Sequence, residues 1–243
     1  MAGHSHWAKI KRAKGANDKK RAKVWSKIAR KIIIAAKAGG GDPADNLSLR
    51  YVIEEAKGVN MTKDTITNAI KKGTGELGAE NYEDAVYEGY CSGVAIIVEA
   101  LTNNRARTVA DLRFMFEKHG GSFAATGSVL FQFTKQGVIT IKSEGVDEDT
   151  LMELALESGA EDVRNEGEVF EVVTTPTAFH KVRNTLGEKY TLEGSEIAYV
   201  ANSTAQVDVE VGHKLLKLVD ALEDNDDVQN VSHNAEIPEA AMA

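Results

Sequence analysis

Residues 138–174 read VITIKSEGVDEDTLMELALESGAEDVRNEGEVFEVVT, and their pattern decides the fold of the carboxyl-terminal half. Runs rich in β-branched residues predict strands, and apolar residues at helical spacing between such runs predict a helix. With the residues that follow, the predicted elements are a strand at 138–141, a helix at 150–158, strands near 160–163 and at 169–174, a helix at 177–186 and a strand at 197–201. This order, β-α-β-β-α-β, is the ferredoxin-like arrangement.

The chain before this unit predicts the start of another sheet. Its predicted elements are strands at 86–90 and 94–101, a turn between them at Cys91-Ser92-Gly93, a helix at 105–119 and a strand at 129–133. The tail adds a helix at 213–222 and a strand at 228–232. Since the ferredoxin-like unit is complete without them, the tail elements are predicted to return to the sheet that begins within residues 82–133.

The first 72 residues predict helices. Between residues 19 and 38, apolar side chains fall within one stripe and cations lie on the opposite side, which is typical of an amphipathic helix. Gly39-Gly40-Gly41 ends this helix, because glycine tolerates the positive φ angles of a helix terminus.

Two further helices follow at short intervals. One is predicted to start with Asp42 as its N-cap and Pro43 at its first position, and to stop at Gly58. Thr62 caps the next, which ends at Gly73. Three helices joined by short turns predict a small helical domain.

The sequence thus predicts an α+β, multidomain protein: a three-helix amino-terminal domain and two α+β domains, the ferredoxin-like one inserted into the middle one. The predicted boundaries are residues 1–75 for the basic helical domain, 80–134 with 206–243 for the split domain, and 135–205 for the insert. Gly73-Thr74-Gly75-Glu76-Leu77-Gly78 matches G-x-G-x-x-G, but a helix rather than a strand precedes it. We interpret these glycines as a hinge between domains.

The net charge of −8 divides unevenly along the 243 residues. Residues 1–37 hold twelve basic residues and one acidic residue, Asp18, a net charge of +11, whereas residues 38–243 carry −19. Clustered Lys and Arg bind the phosphates of nucleic acid because they release condensed counterions. The pattern therefore indicates a basic arm that binds nucleic acid, carried on an acidic body that phosphate repels.

The predicted nucleic-acid contacts are the cations of this arm, with Trp7 as a base-stacking side chain. The cations are Lys9, Lys11, Arg12, Lys14, Lys19, Lys20, Arg21, Lys23, Lys27, Arg30 and Lys31. Trp25 lies on the apolar stripe and is expected to pack. An alternative interpretation is that the arm docks on the acidic body of the same chain.

A second phosphate contact is predicted where Leu101-Thr102-Asn103-Asn104 leads into a helix. Asn103 or Asn104 can cap this helix, and Arg105 and Arg107 place cations beside a helix N-terminus, which itself favours anions. The alternative is ordinary capping together with salt bridges to the acidic body.

The sequence lacks the motifs that mark several classes of enzyme. No Walker A, H-E-x-x-H, G-x-S-x-G or C-x-x-C motif occurs, so we expect no enzyme, no cofactor and no small-molecule substrate. The lone Cys91 fits a reducing compartment, and no apolar run approaches about 18 residues, so a cytoplasmic protein without a membrane partner is expected. His4 is a candidate metal ligand, because removal of Met1 would give an Ala-Gly-His terminus suited to Cu(II) or Ni(II).

The ferredoxin-like insert shares its topology with RNA-recognition motifs, which stack bases on aromatic side chains of the central strands. Residues 138–141 offer no aromatic side chain and residues 169–172 offer one, so we interpret the insert as a spacer or a protein-binding module. The acidic cluster at residues 223–227 lacks the glycine and terminal glutamate of a calcium loop and is interpreted as a solvated turn.

Motifs along nearly the whole chain resemble those of the YebC family. They include Ala2-Gly3-His4-Ser5-His6-Trp7, Gly40-Gly41-Asp42-Pro43, Ala69-Ile70-Lys71-Lys72-Gly73, Tyr87-Glu88-Gly89-Tyr90, Leu101-Thr102-Asn103-Asn104-Arg105, Gly127-Ser128-Val129 and Asp227-Val228-Gln229-Asn230-Val231. The resemblance implies three domains with the ferredoxin-like unit inserted, and a cytoplasmic, non-enzymatic protein that acts on gene expression. Bacterial members are labelled probable transcriptional regulators, whereas mitochondrial relatives act as translational activators.

Three functions therefore stay open. The first is a transcriptional regulator that binds DNA through the arm and the first helix. The second is a ribosome-associated translation factor that binds ribosomal RNA, and the third is a protein-interaction module without nucleic-acid contact. A lysine-dominated helix face contacts phosphates rather than base edges, so the sequence does not choose between DNA and RNA.

Overall fold

The computed structural model describes residues 19–78 and 80–242, in which helices precede and flank two antiparallel sheets. The helices are α1 (Lys19–Gly39), α2 (Leu47–Gly58), α3 (Lys63–Gly73), α4 (Arg105–Lys118), α5 (Glu148–Ser158), α6 (Phe179–Lys189) and α7 (Val209–Glu223). The strands are β1 (Glu83–Cys91), β2 (Val94–Thr102), β3 (Gly121–Ala124), β4 (Phe133–Lys142), β5 (Asp162–Asn165), β6 (Val169–Thr174), β7 (Leu192–Ala201), β8 (Ala205–Gln206), β9 (Val228–His233) and β10 (Ala235–Glu236).

The first three helices pack around a core of their own. Buried side chains from each helix and from the turn between α2 and α3 form it, among them Ile28, Ile32, Leu49, Met61 and Ile66. Trp25 packs against this core, and its indole N–H donates to the carbonyl oxygen of Val59 at 3.1 Å. The prediction that Trp25 packs is therefore confirmed.

The second helix begins later than the sequence predicted. Asn46, which is buried, caps α2 by accepting the N–H of Leu49 on its side-chain oxygen at 3.0 Å. Asp42 and Pro43 form a separate turn instead, in which the Asp42 carboxylate accepts the N–H of Ala44 at 2.8 Å. The predicted start at Pro43 was wrong. Both Asp42 and Asn46 have side chains that can cap a helix, and Asn46 is the residue that caps α2.

The middle sheet has the order β3-β1-β2-β9, and its strands are all antiparallel. The side chains of α4 and α7 cover one face, where Phe116 and Leu218 meet Ile96 and Val231. Because β9 pairs with β2, the tail of the chain returns to this sheet. The hairpin between β1 and β2 turns at Ser92-Gly93, where both φ angles are positive, as a two-residue hairpin turn requires.

The inserted sheet has the order β5-β6-β4-β7, with α5 and α6 on one face. Antiparallel pairing in this order is the ferredoxin-like topology, so the predicted fold class is confirmed. The exact domain boundaries stay predictions. A small core of Ala95, Ile97, Val129, Phe133 and Ala201 joins the middle sheet to the ends of β4 and β7.

Two predicted strands near the insert were misplaced. Residues 129–133 do not form a strand of their own: Leu130–Gln132 is a 3-10 turn and Phe133 begins β4. The strand next to the double glycine is β3, which begins at Gly121. The buried Glu88 carboxylate accepts hydrogen bonds from the N–H groups of Val129 and Leu130, so these groups do not form the backbone hydrogen bonds of a β-sheet. The strand predicted near 160–163 lies at Asp162–Asn165, because Gly159 and Ala160 still donate their N–H groups to carbonyl oxygens in the last turn of α5.

An aromatic stack holds the three-helix domain against the insert. The rings of Tyr51 on α2 and His180 on α6 lie 3.5 Å apart and within 2° of parallel. Burial lowers the pKa of His180 below its ordinary value of 6.5, and the charge of Arg183 lowers it further. At neutral pH the imidazole is therefore uncharged, and the contact is a stack of two neutral rings.

Replacing Tyr51 by alanine is expected to lower the free energy of unfolding by about 1 kcal/mol or somewhat more, because the stacked pair and its buried area are lost together. Tyr51→Phe keeps a ring in place and is the control. Urea-induced unfolding measures the stability of both variants, and equal losses of unfolding free energy would contradict a role for stacking.

Since the folded state holds His180 neutral, the wild-type contact is expected to weaken as pH falls below 6.5.

Candidate nucleic-acid interface

Helix α1 separates its apolar and cationic side chains. Ile28, Ile32 and Ala36 are buried in the core of the three-helix domain. Lys23, Lys27 and Arg30 recur at spacings of four and three residues, so they lie on one face of the helix. We call these three side chains the basic stripe.

The basic stripe contacts residues 223–227, hereafter the acidic turn, which joins α7 to β9 and holds four acidic residues. The contacts run from Lys23 Nζ to Asp224 Oδ1 at 2.8 Å, from Lys27 Nζ to the carbonyl oxygen of Glu223 at 2.9 Å, and from Arg30 Nη1 to the carbonyl oxygen of Asp226 and to Asp227 Oδ1, the last at 3.0 Å. A helix C-terminus carries partial negative charge, so the end of α7 adds to the attraction.

Asp227 is the centre of this contact. Its side chain is 4% exposed and accepts hydrogen bonds from two domains. Arg107 Nη2 donates to Oδ1 at 3.1 Å and to Oδ2 at 2.8 Å, and Thr108 Oγ1 donates to Oδ2 at 2.8 Å. Arg30 donates from α1, so one buried carboxylate links α1, α4 and the acidic turn.

The surroundings of Asp227 favour its charged form. Burial by itself raises the pKa of the carboxyl, but hydrogen bonds from Arg107 and Thr108 and the charges of Arg107 and Arg30 lower it below its ordinary value of 3.8. The net direction is down because the donors and positive charges outweigh the loss of hydration. The carboxylate is therefore ionised at neutral pH and forms ion pairs with two guanidinium groups.

A polar cleft of about 280 Å³ opens beside Asp227. Arg30 and Arg107 line it together with Tyr82 and Asn103, and the Arg30 guanidinium lies 5.3 Å from the centroid of the Tyr82 ring. Three carboxylates, those of Asp111, Asp226 and Asp227, line the cleft beside these two arginines, so its net charge does not favour a small anion. We therefore regard it as the edge of a domain contact.

The described cations among the predicted contacts are bonded to acidic residues or to their backbone. Arg30 and Arg107 meet at Asp227, but Lys31 and Arg105 do not join them. Lys31 bonds Glu55 at 2.8 Å, and Arg105 bonds Glu83 at 2.7 Å. This arrangement supports the alternative that the arm docks on the acidic body. That these cations bind phosphate stays a prediction.

Other predicted contacts lie where no side chain is described. Lys19, Lys20 and Arg21 belong to the first turn of α1. The remaining predictions lie outside the described residues, and they are Trp7, Lys9, Lys11, Arg12, Lys14 and the candidate metal ligand His4. Within residues 19–78 and 80–242, no three His, Cys, Asp or Glu side chains converge as metal ligands would.

The interpretation of residues 223–227 as a solvated turn was wrong. Asp227 is buried, and Asp224 and Glu223 contact the basic stripe. Sequence reasoning missed this site because its partners are almost two hundred residues apart. The available signal was the charge pattern itself, a cationic helix face at one end of the chain and an acidic cluster at the other.

The sheet of the insert does not present an RNA platform. On the face away from α5 and α6, the central strands carry Val138, Thr140, Glu171 and Val173, and all four are buried. RNA-recognition motifs need this face open and aromatic. In the part of the chain that the structure covers, no helix has the length and apolar character to cross a membrane.

The fold and the interface define a class of three-domain α+β proteins with a cationic amino-terminal helix. The sequence profile described as TACO1/YebC protein N-terminal domain matches residues 5–76. The profile described as TACO1/YebC second and third domain matches residues 82–235. The chain belongs to the TACO1/YebC family.

Similar proteins span the chain almost completely. A protein of Treponema denticola named "Probable transcriptional regulatory protein" is 50% identical over 241 residues, 98% of each chain. A protein of Syntrophotalea carbinolica with the same name is 49% identical over 245 residues, 100% of this chain and 98% of that one. The crystal structure of a conserved hypothetical protein from Aquifex aeolicus superposes with a TM-score of 0.81 at 43% identity, covering 91% of this chain and 92% of that one.

Proposed function

We propose that the chain is a non-enzymatic transcriptional regulator that binds DNA through its basic amino-terminal segment. The observation that carries the proposal is the basic stripe, three cations on one helix face whose donors all point to one anionic surface. A face that binds carboxylates and carbonyl oxygens in a row has the chemistry to bind a row of phosphates. The names of the Treponema and Syntrophotalea relatives support a role in transcription.

Binding of a mixed-sequence DNA duplex is expected to depend steeply on salt. If about half of the arm's twelve cations contact phosphates, log K falls with log salt at a slope of about −5. The triple variant Lys20→Gln, Lys23→Gln, Lys27→Gln should make this slope shallower by about 3, one unit for each lost contact. Gel-shift titrations over a salt series measure both slopes.

A matched control removes the same charge elsewhere in the domain. Lys57→Gln, Lys63→Gln, Lys71→Gln changes three exposed lysines of α2 and α3 and should leave the slope unchanged. If the two triple variants weaken binding equally, net charge rather than the arm drives binding, and the proposal fails.

Ribosomal RNA is the second candidate ligand. Trp25, the aromatic side chain nearest the basic stripe in sequence, is packed and bonded to Val59, so the stripe offers phosphate contacts rather than base readout. A backbone reader of this kind suits structured RNA as well as duplex DNA. Co-sedimentation with ribosomes over the same salt series tests this candidate. If the wild-type chain binds ribosomes, the arm variant does not, and binding to DNA is weak, then translation rather than transcription is the process that the chain regulates.

A further inference from the structure

We propose that the acidic turn is an internal competitor of nucleic acid: it occupies the basic stripe when the chain is free and is displaced when a polyanion binds. This inference rests on the proposed function, since it concerns regulation of the same site. It explains why the cations best placed to bind phosphate contact the chain's own acidic turn. The structure described here is then the closed state.

The acidic turn has the chemistry of a short polyanion. Four of its five residues are acidic, and it follows the C-terminal end of α7, where the helix dipole is negative. Carbonyl oxygens and carboxylates both accept hydrogen bonds from the stripe. The donors on α1 are thus satisfied by the same kind of acceptor that a phosphate backbone supplies.

A duplex can compete with this turn by charge density. The stripe extends over eight residues of α1, residues 23–30, which is about 10 Å of helix axis, and a duplex carries about six phosphates over that length. The turn offers four carboxyl groups, and one of them, Asp227, is shared with Arg107. Nucleic acid therefore presents more negative charge to the same helix face than the turn does.

The closed contact is polar, and such contacts between domains permit relative motion. Lys23 and Asp224 are 41% and 67% exposed, and an exposed ion pair adds at most about 1 kcal/mol. The buried Arg30–Asp227 pair is the stronger part of the contact, but a phosphate can take over the Arg30 guanidinium while Arg107 and Thr108 keep the Asp227 carboxylate bonded. The three-helix domain keeps its own core when α1 leaves the turn, because its buried side chains contact one another. The linker after α3 contains Gly75 and Gly78, which hold positive φ angles with open space beside them.

Charge reversal in the turn tests the competition. Asp224→Lys places a cation opposite Lys23 and should tighten binding of a mixed-sequence DNA duplex at low salt by about tenfold, because the closed state loses an ion pair and gains a repulsion, and the apparent affinity rises with the binding-competent fraction. Glu55→Lys makes the same change of charge beside Lys31, within the three-helix domain, and is the matched control. It should change affinity much less, because it leaves the contact between the domains intact.

Zero-length carbodiimide crosslinking of the wild-type chain provides a second readout. Lys23 Nζ and Asp224 Oδ1 lie 2.8 Å apart and should crosslink in the free protein, and excess duplex should abolish the crosslink. Lys135 and Glu99, also 2.8 Å apart, lie outside the three-helix domain and should crosslink with or without duplex. Mass spectrometry of the digested protein quantifies both crosslinks.

The outcomes separate the two proposals. If the duplex binds but the Lys23–Asp224 crosslink persists, or if Asp224→Lys and Glu55→Lys act alike, the competition is refuted and the proposed function stands. If neither a DNA duplex nor an RNA hairpin of equal length binds any variant at low salt, the proposed function itself fails. Loss of the crosslink together with the selective gain in Asp224→Lys supports both.

Discussion

Replacing Asp227 by alanine is expected to lower the free energy of unfolding by about 3–5 kcal/mol, the range found when one partner of a buried ion pair is removed. The side chain is 4% exposed and accepts hydrogen bonds from Arg30, Arg107 and Thr108. Without it, the Arg30 guanidinium, itself 13% exposed, loses its carboxylate in a poorly hydrated place. Urea-induced unfolding followed by circular dichroism measures the loss.

The control is a neighbour on the same turn. Asp224 has an exposed side chain and forms a surface ion pair with Lys23, so Asp224→Ala should change stability by at most about 1 kcal/mol. If the free energy of unfolding falls equally in the two alanine variants, burial of Asp227 does not strengthen its contribution to stability. A double-mutant cycle of Asp227→Ala with Arg30→Met then isolates the coupling between the domains, expected at about 1–3 kcal/mol.

The pH dependence of stability follows from the same site. The folded-state pKa of Asp227 lies below its ordinary value of 3.8, so the unfolded chain binds the proton more readily. The stabilisation is fully present above the ordinary pKa and is lost as pH falls through it toward the folded-state pKa. Wild-type stability should therefore decline more steeply on acidification than that of Asp227→Asn, which has no carboxyl to titrate there.

Local signals predicted the parts of the fold that local contacts determine. Thr62 and Asn104 cap their helices through bonds to residues three positions on, as the sequence suggested. The ferredoxin-like order also followed from short periodic runs, and Val169–Thr174 forms β6 with the predicted bounds. These features depend on neighbours in the chain, which a single sequence displays.

The interface could not be predicted in the same way, because its partners are distant in sequence. Arg30 and Asp227 are 197 residues apart, and charge alone does not say which of the chain's acidic residues α1 will contact. Burial of Asp227 was also hidden, since the residues before it form a typical surface cluster. The sequence did contain the cations and the acidic residues. It therefore predicted, as an alternative, that the arm docks on the acidic body, but it did not predict which acidic residues the arm contacts.

Glu88→Ala is expected to lower the free energy of unfolding by about 3–5 kcal/mol, because three backbone N–H groups lose their acceptor and each unsatisfied group costs roughly 1–3 kcal/mol. The carboxylate is buried and accepts from Gly127 at 2.5 Å, Val129 at 2.6 Å and Leu130 at 2.9 Å. Burial raises the pKa of Glu88, but these N–H groups together lower it below 4.5, so the residue is ionised at neutral pH.

Two comparisons separate the loss of these bonds from a loss of charge. Glu83→Ala removes a half-exposed carboxylate from the same strand, where it pairs with Arg105, and should cost at most about 1 kcal/mol. Glu88→Gln keeps an acceptor oxygen and should fall between the two alanine variants. Hydrogen exchange adds a local readout: the N–H groups of Val129 and Leu130 should exchange faster in Glu88→Ala. Unchanged protection there would mean that water or other groups replace the carboxylate as the acceptor of these N–H groups, and would contradict the expected loss of stability.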